Sequence, residues 1–341
     1  MVMSPVSTLT AAHAIVAGLV SLASASLAQS PQTSSTSPAL MFVSNEASRD
    51  VTVVRLSDLT VLGTVSVGER PRGIQAAPDR KHVYVALSDS IPTVQSRGDA
   101  IGVIDVATRR LVTRYAGGTD PEQFAVTPNG TKLYAANEDA GTASSISVRT
   151  GKVAETMAVG IEPEGVAVSP DGRWIYVTAE TSNTVSVIDV KTDRVVASFL
   201  VDVRPRAAAF APNGQRAYVT AEIGGSVSVV DVRTHEVTET IALGEGAKPV
   251  GVVVSPDGRR VYVANGGTSS VSVIDAATER VVGTIRVGRR PWGISISRDG
   301  SRLFTANGLS DDVSVIDTRS NAVVATVKVG RRPWGIALVE P

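Results

Sequence analysis

Seven prolines recur along this chain at a nearly constant spacing, each within a short segment of similar sequence. The longest such segment, Val-Gly-Arg-Arg-Pro-Trp-Gly-Ile, occupies residues 287–294 and returns unchanged at residues 329–336. The spacings between successive prolines are 50, 42, 42, 44, 42 and 42 residues. The prolines are Pro71, Pro121, Pro163, Pro205, Pro249, Pro291 and Pro333. A period of this length indicates a repeat architecture, in which each repeat is one small unit of secondary structure.

Each repeat contains four short runs of β-branched and other apolar residues, bounded by turn residues. In one repeat these runs are residues 174–178, 184–188, 195–200 and 207–210. Pro-Asp-Gly or Pro-Asn-Gly turns separate successive repeats, because proline presets φ and glycine accepts a positive φ. Aspartates such as Asp189 close the third run, and we expect their carboxylates to cap turn amides. The pattern predicts an all-β fold, a seven-bladed β-propeller with four antiparallel strands per blade.

The two ends of the repeat region predict how the ring closes. Residues 41–44 begin the first repeat without a preceding innermost strand, and residues 335–339 form a strand that no further repeat follows. We therefore predict that the C-terminal strand joins the N-terminal blade, which removes the open edge of the ring. The predicted propeller covers residues 39–341.

The N-terminal segment has the composition of an export signal. Residues 11–28 are mostly small and apolar, and Ser-Leu-Ala at 26–28 suits signal-peptidase cleavage. We predict a signal peptide over residues 1–28, a flexible polar linker over residues 29–38, and a periplasmic or secreted protein without stable membrane insertion. The alternative is an uncleaved anchor, for which the apolar run is short.

The composition excludes several classes of function. Lys and Arg total 33, as do Asp and Glu, so no overall charge points to nucleic acid. The absence of cysteine excludes disulfides, thiolate metal sites and a cysteine nucleophile. His82 and His235 are too few and too far apart for a zinc site. We expect no catalytic and no metal-binding residue.

Loop lengths differ at only one end of the predicted propeller. An eight-residue insertion lies within residues 88–99 and a two-residue insertion within residues 244–248, and both fall in loops at this end. We call it the mouth. Uniform turns at one end and variable loops at the other mark the mouth as the functional candidate.

Charged and aromatic residues flank the prolines and the ends of the second strands, which the topology brings to the mouth. The structural interpretation is Arg–Glu pairing between blades, and the functional one is a polarised surface that holds an anion by arginine forks. Two tryptophans either pack beside their own arginines or stack on a ligand. The candidate binding residues are Arg70, Arg72, Glu122, Asn137, Glu164, Glu180, Arg204, Arg206, Glu222, Asn265, Arg290, Trp292, Asn307, Arg332 and Trp334.

The repeats resemble those of YVTN-type β-propellers. Tyr-Val-Thr-Ala-Glu occurs at 176–180 and 218–222, and Tyr-Val-Ala-Asn-Gly at 262–266, although Tyr-Val-Thr-Asn itself is absent. The succession of blade variants, from Arg-Pro-Arg-Gly at 70–73 to Pro-Trp-Gly at 333–335, is similar to the β-propeller family associated with PQQ-dependent alcohol catabolism. The resemblance implies an exported accessory protein, PQQ as a candidate ligand, and a periplasmic quinoprotein dehydrogenase or cytochrome as a partner.

Three functions follow as hypotheses. The leading one is a non-catalytic propeller that binds a small anionic ligand or a protein partner at its mouth. The second is a lactonase-like or quinoprotein-related enzyme, with Glu122, Glu162 or Glu164 as its base. The third is a scaffold that docks a dehydrogenase or its cytochrome.

Overall fold

A computed structural model describes residues 10–13, 38–88 and 98–341 of the chain. Residues 38–88 and 98–341 form one compact unit. Most of the predicted signal peptide and linker, and residues 89–97 of the predicted insertion, lie outside the described residues. Within the described ranges, no helix is long and apolar enough to cross a membrane.

The structure confirms the seven-bladed propeller, with seven antiparallel sheets of four strands each. The innermost strands are β4 (Pro71–Ala76), β8 (Pro121–Val126), β12 (Pro163–Val168), β16 (Pro205–Phe210), β20 (Pro249–Val254), β24 (Pro291–Ile296) and β28 (Pro333–Val339). The second strands are β1 (Leu40–Asn45), β5 (His82–Leu87), β9 (Lys132–Asn137), β13 (Trp174–Ala179), β17 (Arg216–Ala221), β21 (Arg260–Asn265) and β25 (Arg302–Asn307).

The outer half of each sheet is equally regular. The third strands are β2 (Asp50–Arg55), β6 (Ala100–Asp105), β10 (Thr142–Ser147), β14 (Thr184–Asp189), β18 (Ser226–Asp231), β22 (Ser270–Asp275) and β26 (Asp312–Asp317). The outermost strands are β3 (Thr60–Ser66), β7 (Arg110–Ala116), β11 (Lys152–Ala158), β15 (Arg194–Leu200), β19 (Glu236–Ala242), β23 (Arg280–Arg286) and β27 (Ala322–Lys328). We number the blades so that blade 1 contains β28 and β1 to β3, and blade 7 contains β24 to β27.

The ring closes between the two ends of the propeller, as predicted. Strand β28 pairs antiparallel with β1, with Leu40 opposite Val339 and Val43 opposite Ile336. Blade 1 therefore takes its innermost strand from the C-terminal end of the chain and its other strands from the N-terminal end.

The hydrophobic core lies mainly between neighbouring blades. Phe42 and Val53 of blade 1 pack in one cluster with Val85 and Ile104 of blade 2. The second and third strands are almost wholly buried, whereas the outermost strands are largely exposed. Each blade thus depends on its neighbours for burial of its apolar faces.

The turns follow the predicted chemistry. Gly172 has a φ of 71°, and its N–H donates to the carbonyl of Ser169 at 2.8 Å. The Asp189 carboxylate accepts a hydrogen bond from the N–H of Thr192 at 2.9 Å. These local contacts fix the end of the propeller opposite the mouth.

The glycine two residues after the proline brings adjacent innermost strands close together. A Cβ on Gly165 would lie 2.2 Å from the Arg206 carbonyl oxygen, and one on Gly293 would lie 2.4 Å from that of Trp334. Only glycine fits such an approach of one backbone to the next. The residues that follow the prolines are thereby crowded around the channel at the mouth.

Candidate ligand-binding site

The residue before each of the seven prolines adopts a left-handed backbone conformation. Its φ ranges from 36° at Arg70 to 62° at Arg204. In several blades the carbonyl of this residue accepts a hydrogen bond from the backbone N–H of the residue that follows the second strand. For example, the Glu222 N–H donates to the Arg204 carbonyl at 2.8 Å. These residues are Arg70, Asp120, Glu162, Arg204, Lys248, Arg290 and Arg332. Glycine or asparagine would suit this conformation better, so the mouth keeps charged side chains there at a conformational cost.

Two arginines of blade 2 join three blades through an ion-pair network, the first cluster. Arg70 Nη1 lies 3.3 Å from Asp120 Oδ1, and Arg72 Nη2 lies 3.1 Å from Glu46 Oε1. Both arginines also pair with Glu122, which is buried. The inter-blade pairing expected from the sequence is present here.

Two arginines of blade 5 form the second cluster in the same way. Arg206 Nη1 lies 2.5 Å from Glu164 Oε2 and also pairs with Glu180. Arg204 Nε lies 2.7 Å from Glu180 Oε2, and Glu222 completes the network. The Arg206 side chain is only 8% exposed, whereas that of Arg204 is 44% exposed. Arg206 is therefore the buried centre of this cluster.

Glu138 lies beside the first cluster and was not among the residues selected from the sequence. Burial, followed by the charges of Glu164 and Asp120, raises its pKa to about 7 against the opposing effect of Arg72 and Arg70. A carboxyl group that titrates near neutral pH is unusual and has the properties of a general acid or base. The sequence offered one signal for this residue: Glu138 directly follows a second strand, as Glu180 and Glu222 do.

The two mouth tryptophans meet edge to face. The ring centroids of Trp292 and Trp334 are 6.4 Å apart, and the ring planes are inclined by 83°. The guanidinium carbon of Arg290 lies 4.5 Å from the Trp292 ring centroid, and that of Arg206 lies 5.1 Å from it. Trp292 thus packs beside its own arginine, as one interpretation of the sequence predicted, while Trp334 is buried.

Arg290 and Arg332 differ from the other arginines at the mouth. Both are exposed, and within the part of the chain that the structure describes neither forms an ion pair. They line a cleft of about 260 Å³ together with Trp292, Trp334 and Leu309. Glu46, Gly308 and Pro333 complete its lining. The cleft presents two guanidinium groups beside aromatic rings, a suitable surface for a flat anion.

A second cavity of about 430 Å³ continues from the mouth along the innermost strands. At the mouth it is lined by Glu164, Arg206 and the two tryptophans, and further along by Arg298 and Glu340. The backbone N–H of Arg298 donates to Glu340 Oε2 at 2.7 Å. The channel therefore has charged groups at both ends.

The asparagines predicted at the mouth lie inside their blades. Asn137, Asn265 and Asn307 are at most 2% exposed. Asn265 Nδ2 donates to Ser272 Oγ at 2.8 Å, and Asn307 Nδ2 donates to Ser314 Oγ at 2.9 Å. These asparagines hydrogen-bond the end of the second strand to the third strand, because strand pairing brings each asparagine close to short polar side chains.

The aromatic and imidazole groups near the other end have structural contacts. His235 Nδ1 lies 2.7 Å from Tyr176 Oη of the preceding blade. The ring of His235 also meets that of Trp174 edge to face at 5.0 Å. His82 lies at the surface and pairs with Asp79. Trp174 and His235 therefore contribute to the contact between blades 4 and 5.

Two family profiles match successive parts of the chain. The profile described as lactonase, 7-bladed beta-propeller, matches residues 201–328. The profile described as choice-of-anchor I domain matches residues 28–198, half of the chain. The chain belongs to the choice-of-anchor I domain family. This family match contains both the first cluster and Glu138, whereas the lactonase match contains Arg290 and Trp292. The PQQ-associated family is not among these matches, and no curated protein matches the chain.

Solved structures share the fold of this choice-of-anchor I domain protein. A functionally unknown protein from Desulfotomaculum acetoxidans is 21% identical, with a TM-score of 0.77 over 89% of this chain and 99% of the other. A putative 6-phosphogluconolactonase from Bacteroides fragilis is 18% identical, with a TM-score of 0.74 over 91% and 100%. Kuenenia stuttgartiensis hydrazine synthase is 21% identical, with a TM-score of 0.72 over 81% and 92%. At these identities the likeness shows the propeller fold.

Proposed function

We propose that this protein is an exported binding propeller that takes a small planar anion in the cleft between Arg290 and Arg332. The observation that carries the proposal is the difference among the mouth arginines. Arg70, Arg72, Arg204 and Arg206 are neutralised by neighbouring carboxylates, while Arg290 and Arg332 offer their charge to solvent. Charge-assisted hydrogen bonds from arginine forks hold carboxylates strongly.

PQQ is the ligand that the sequence resemblance implies, and its chemistry fits this cleft. It is a flat quinone that carries carboxylates, so its rings suit Trp292 and its charges suit the two arginines. On this proposal the protein serves PQQ-dependent alcohol oxidation as an accessory component, beside a periplasmic dehydrogenase or cytochrome.

The test is a PQQ titration monitored by tryptophan fluorescence. We expect saturable quenching that Trp292→Phe reduces, since Trp334 also lines the cleft, and that Trp174→Phe preserves, because Trp174 lies away from the mouth. Arg290→Ala and Arg332→Ala should each weaken binding by about tenfold or more. Arg233→Ala is the matched control, since this arginine is exposed in a turn at the opposite end. An unchanged fluorescence with PQQ, or equal quenching of Arg290→Ala, contradicts the proposal.

Lactone hydrolysis is a second candidate, favoured by the titration behaviour of Glu138. With a pKa of about 7, this carboxylate has the basicity to activate a water molecule for attack on an ester carbonyl. The lactonase match supports the choice of substrate class but covers residues 201–328, so it does not contain Glu138.

Turnover of a panel of aldonolactones tests this candidate. Removal of a general base should lower kcat by about 10²-fold or more in Glu138→Gln. Glu155→Gln, in the exposed face of β11, should leave kcat unchanged. Hydrolysis no faster than in buffer alone would exclude the enzyme.

A further inference from the structure

We propose that Asp120, Glu122 and Glu138 form a binding site for a divalent cation of the calcium type. This proposal does not rest on the anion-binding function above, and it shares Glu138 with the hydrolytic candidate. It concerns the first cluster, whereas the planar anion is assigned to the cleft between Arg290 and Arg332.

The three carboxylates are brought together by the pairing of β8 with β9. Pro121 lies opposite Asn137 in this pair, so Asp120 and Glu122 on either side of the proline lie near Glu138. One carboxylate oxygen of each residue lies within 4.8 Å of the other two. Oxygen ligands around one calcium ion, each 2.3–2.6 Å from the metal, lie up to about 5 Å apart. The spacing therefore fits a shared cation.

Glu122 has one oxygen that its arginine partners leave unused. Its Oε1 lies 3.5 Å from Arg70 Nη2 and also pairs with Arg72. Its Oε2 is buried and has no hydrogen-bond partner among the described residues, and the side chain is only 1% exposed. A buried carboxylate oxygen without a partner is costly. A bound cation would satisfy it.

Among the described residues around the three carboxylates, negative charges outnumber positive charges, which also favours a bound cation. Arg70 and Arg72 face the carboxylates of Glu46, Asp120 and Glu122, and Glu138 lies beside them. Glu164 adds to the negative potential felt by Glu138. Four carboxylates against two guanidinium groups leave two negative charges when all are ionised.

Calorimetric titration of the chelator-treated protein with calcium chloride tests the site. We expect one calcium ion per chain, with a dissociation constant of about 10⁻⁴–10⁻³ M. Glu138→Gln and Asp120→Asn should each lose about tenfold or more in affinity.

The matched control is Glu222→Gln, because Glu222 occupies the equivalent place after the second strand of blade 5 within the second cluster. Its calcium affinity should stay within about twofold of that of the unmodified protein. Thermal unfolding without calcium verifies that each variant is folded. The proposal is overturned if calcium gives no saturable heat, or if Glu138→Gln binds calcium as well as the unmodified protein.

Discussion

Arg206 of β16 lies over the indole ring of Trp292 of β24, its guanidinium carbon 5.1 Å from the ring centroid. Strand β20 lies between these two strands in the ring. The Arg206 side chain thus extends across blade 6. Its guanidinium group contacts both the carboxylates of the second cluster and the ring of Trp292. Changes in the second cluster should therefore be detectable in the fluorescence of Trp292.

Replacement of Arg206 by methionine should destabilise the protein strongly. Glu164 would be left buried without its countercharge and Glu180 would keep only Arg204, at a cost of about 3–5 kcal/mol in the free energy of unfolding. Arg204→Met is the matched control in the same blade, and because its side chain is 44% exposed we expect a loss of about 0–1 kcal/mol. Urea denaturation followed by tryptophan fluorescence measures both, and equal losses would contradict a buried role for Arg206.

Glu138 should make the protein less stable as pH rises. Its folded-state pKa of about 7 lies above the ordinary value of 4.5, so the folded state holds the proton more tightly than the unfolded state. The free energy of unfolding should fall by up to about 3 kcal/mol as pH rises through this interval, and then level off. Below the ordinary value both states are protonated, and Glu138 adds no pH dependence there.

Urea denaturation between about pH 5 and about pH 8, in the presence of a chelator, measures this effect. Glu138→Gln should reduce the loss, and its stability at the higher pH should exceed that of the unmodified protein. Glu155→Gln should follow the unmodified protein at every pH. Parallel curves for Glu138→Gln and the unmodified protein would show that Glu138 does not cause the dependence.

Gly165→Ala should disturb the packing of two innermost strands. Its Cβ would lie 2.2 Å from the Arg206 carbonyl oxygen, and the backbone must shift to relieve this overlap. We expect a loss of about 3 kcal/mol or more in the free energy of unfolding. In Gly283→Ala, within β23, the nearest atom lies at 3.8 Å, so the loss should be under about 0.5 kcal/mol. Thermal denaturation distinguishes the two variants.

Asn265→Ala should lower stability without changing ligand binding at the mouth. The amide donates to Ser270 and Ser272 within its blade, and its loss removes the hydrogen bond to the buried hydroxyl of Ser272, whereas Ser270 keeps its contact with Thr268. We expect a cost of about 1–3 kcal/mol. An unchanged PQQ affinity in this variant would place Asn265 in the scaffold, whereas a loss of affinity at unchanged stability would place it in the site.

The sequence was sufficient for the architecture because the fold is set by local and periodic signals. The spacing of prolines and turn glycines gave seven blades, and the unpaired segments at 41–44 and 335–339 predicted the closing strand. Strand positions such as 184–188 also agree with the structure, where β14 extends one residue further.

The site was harder to predict because its properties arise between blades. The sequence shows that arginines flank the prolines. It does not show that Arg206 is buried whereas Arg204 is exposed, because this difference arises only in the folded ring. Glu138 acquires its raised pKa from burial and from the charges of Glu164 and Asp120, which belong to two different blades. No local pattern around Glu138 encodes that proximity.

The pairing of β28 with β1 has a consequence for biosynthesis. The ribosome makes β1 to β3 first, yet their innermost neighbour is the last strand to be translated. Met41, fully buried in the finished ring, packs with Phe304 of blade 7 and must stay uncovered while the intervening blades are made. The nascent chain therefore presents an unpaired edge of β1 until residues 333–339 have been translated, and a chain that stopped before residue 333 would leave that edge unpaired.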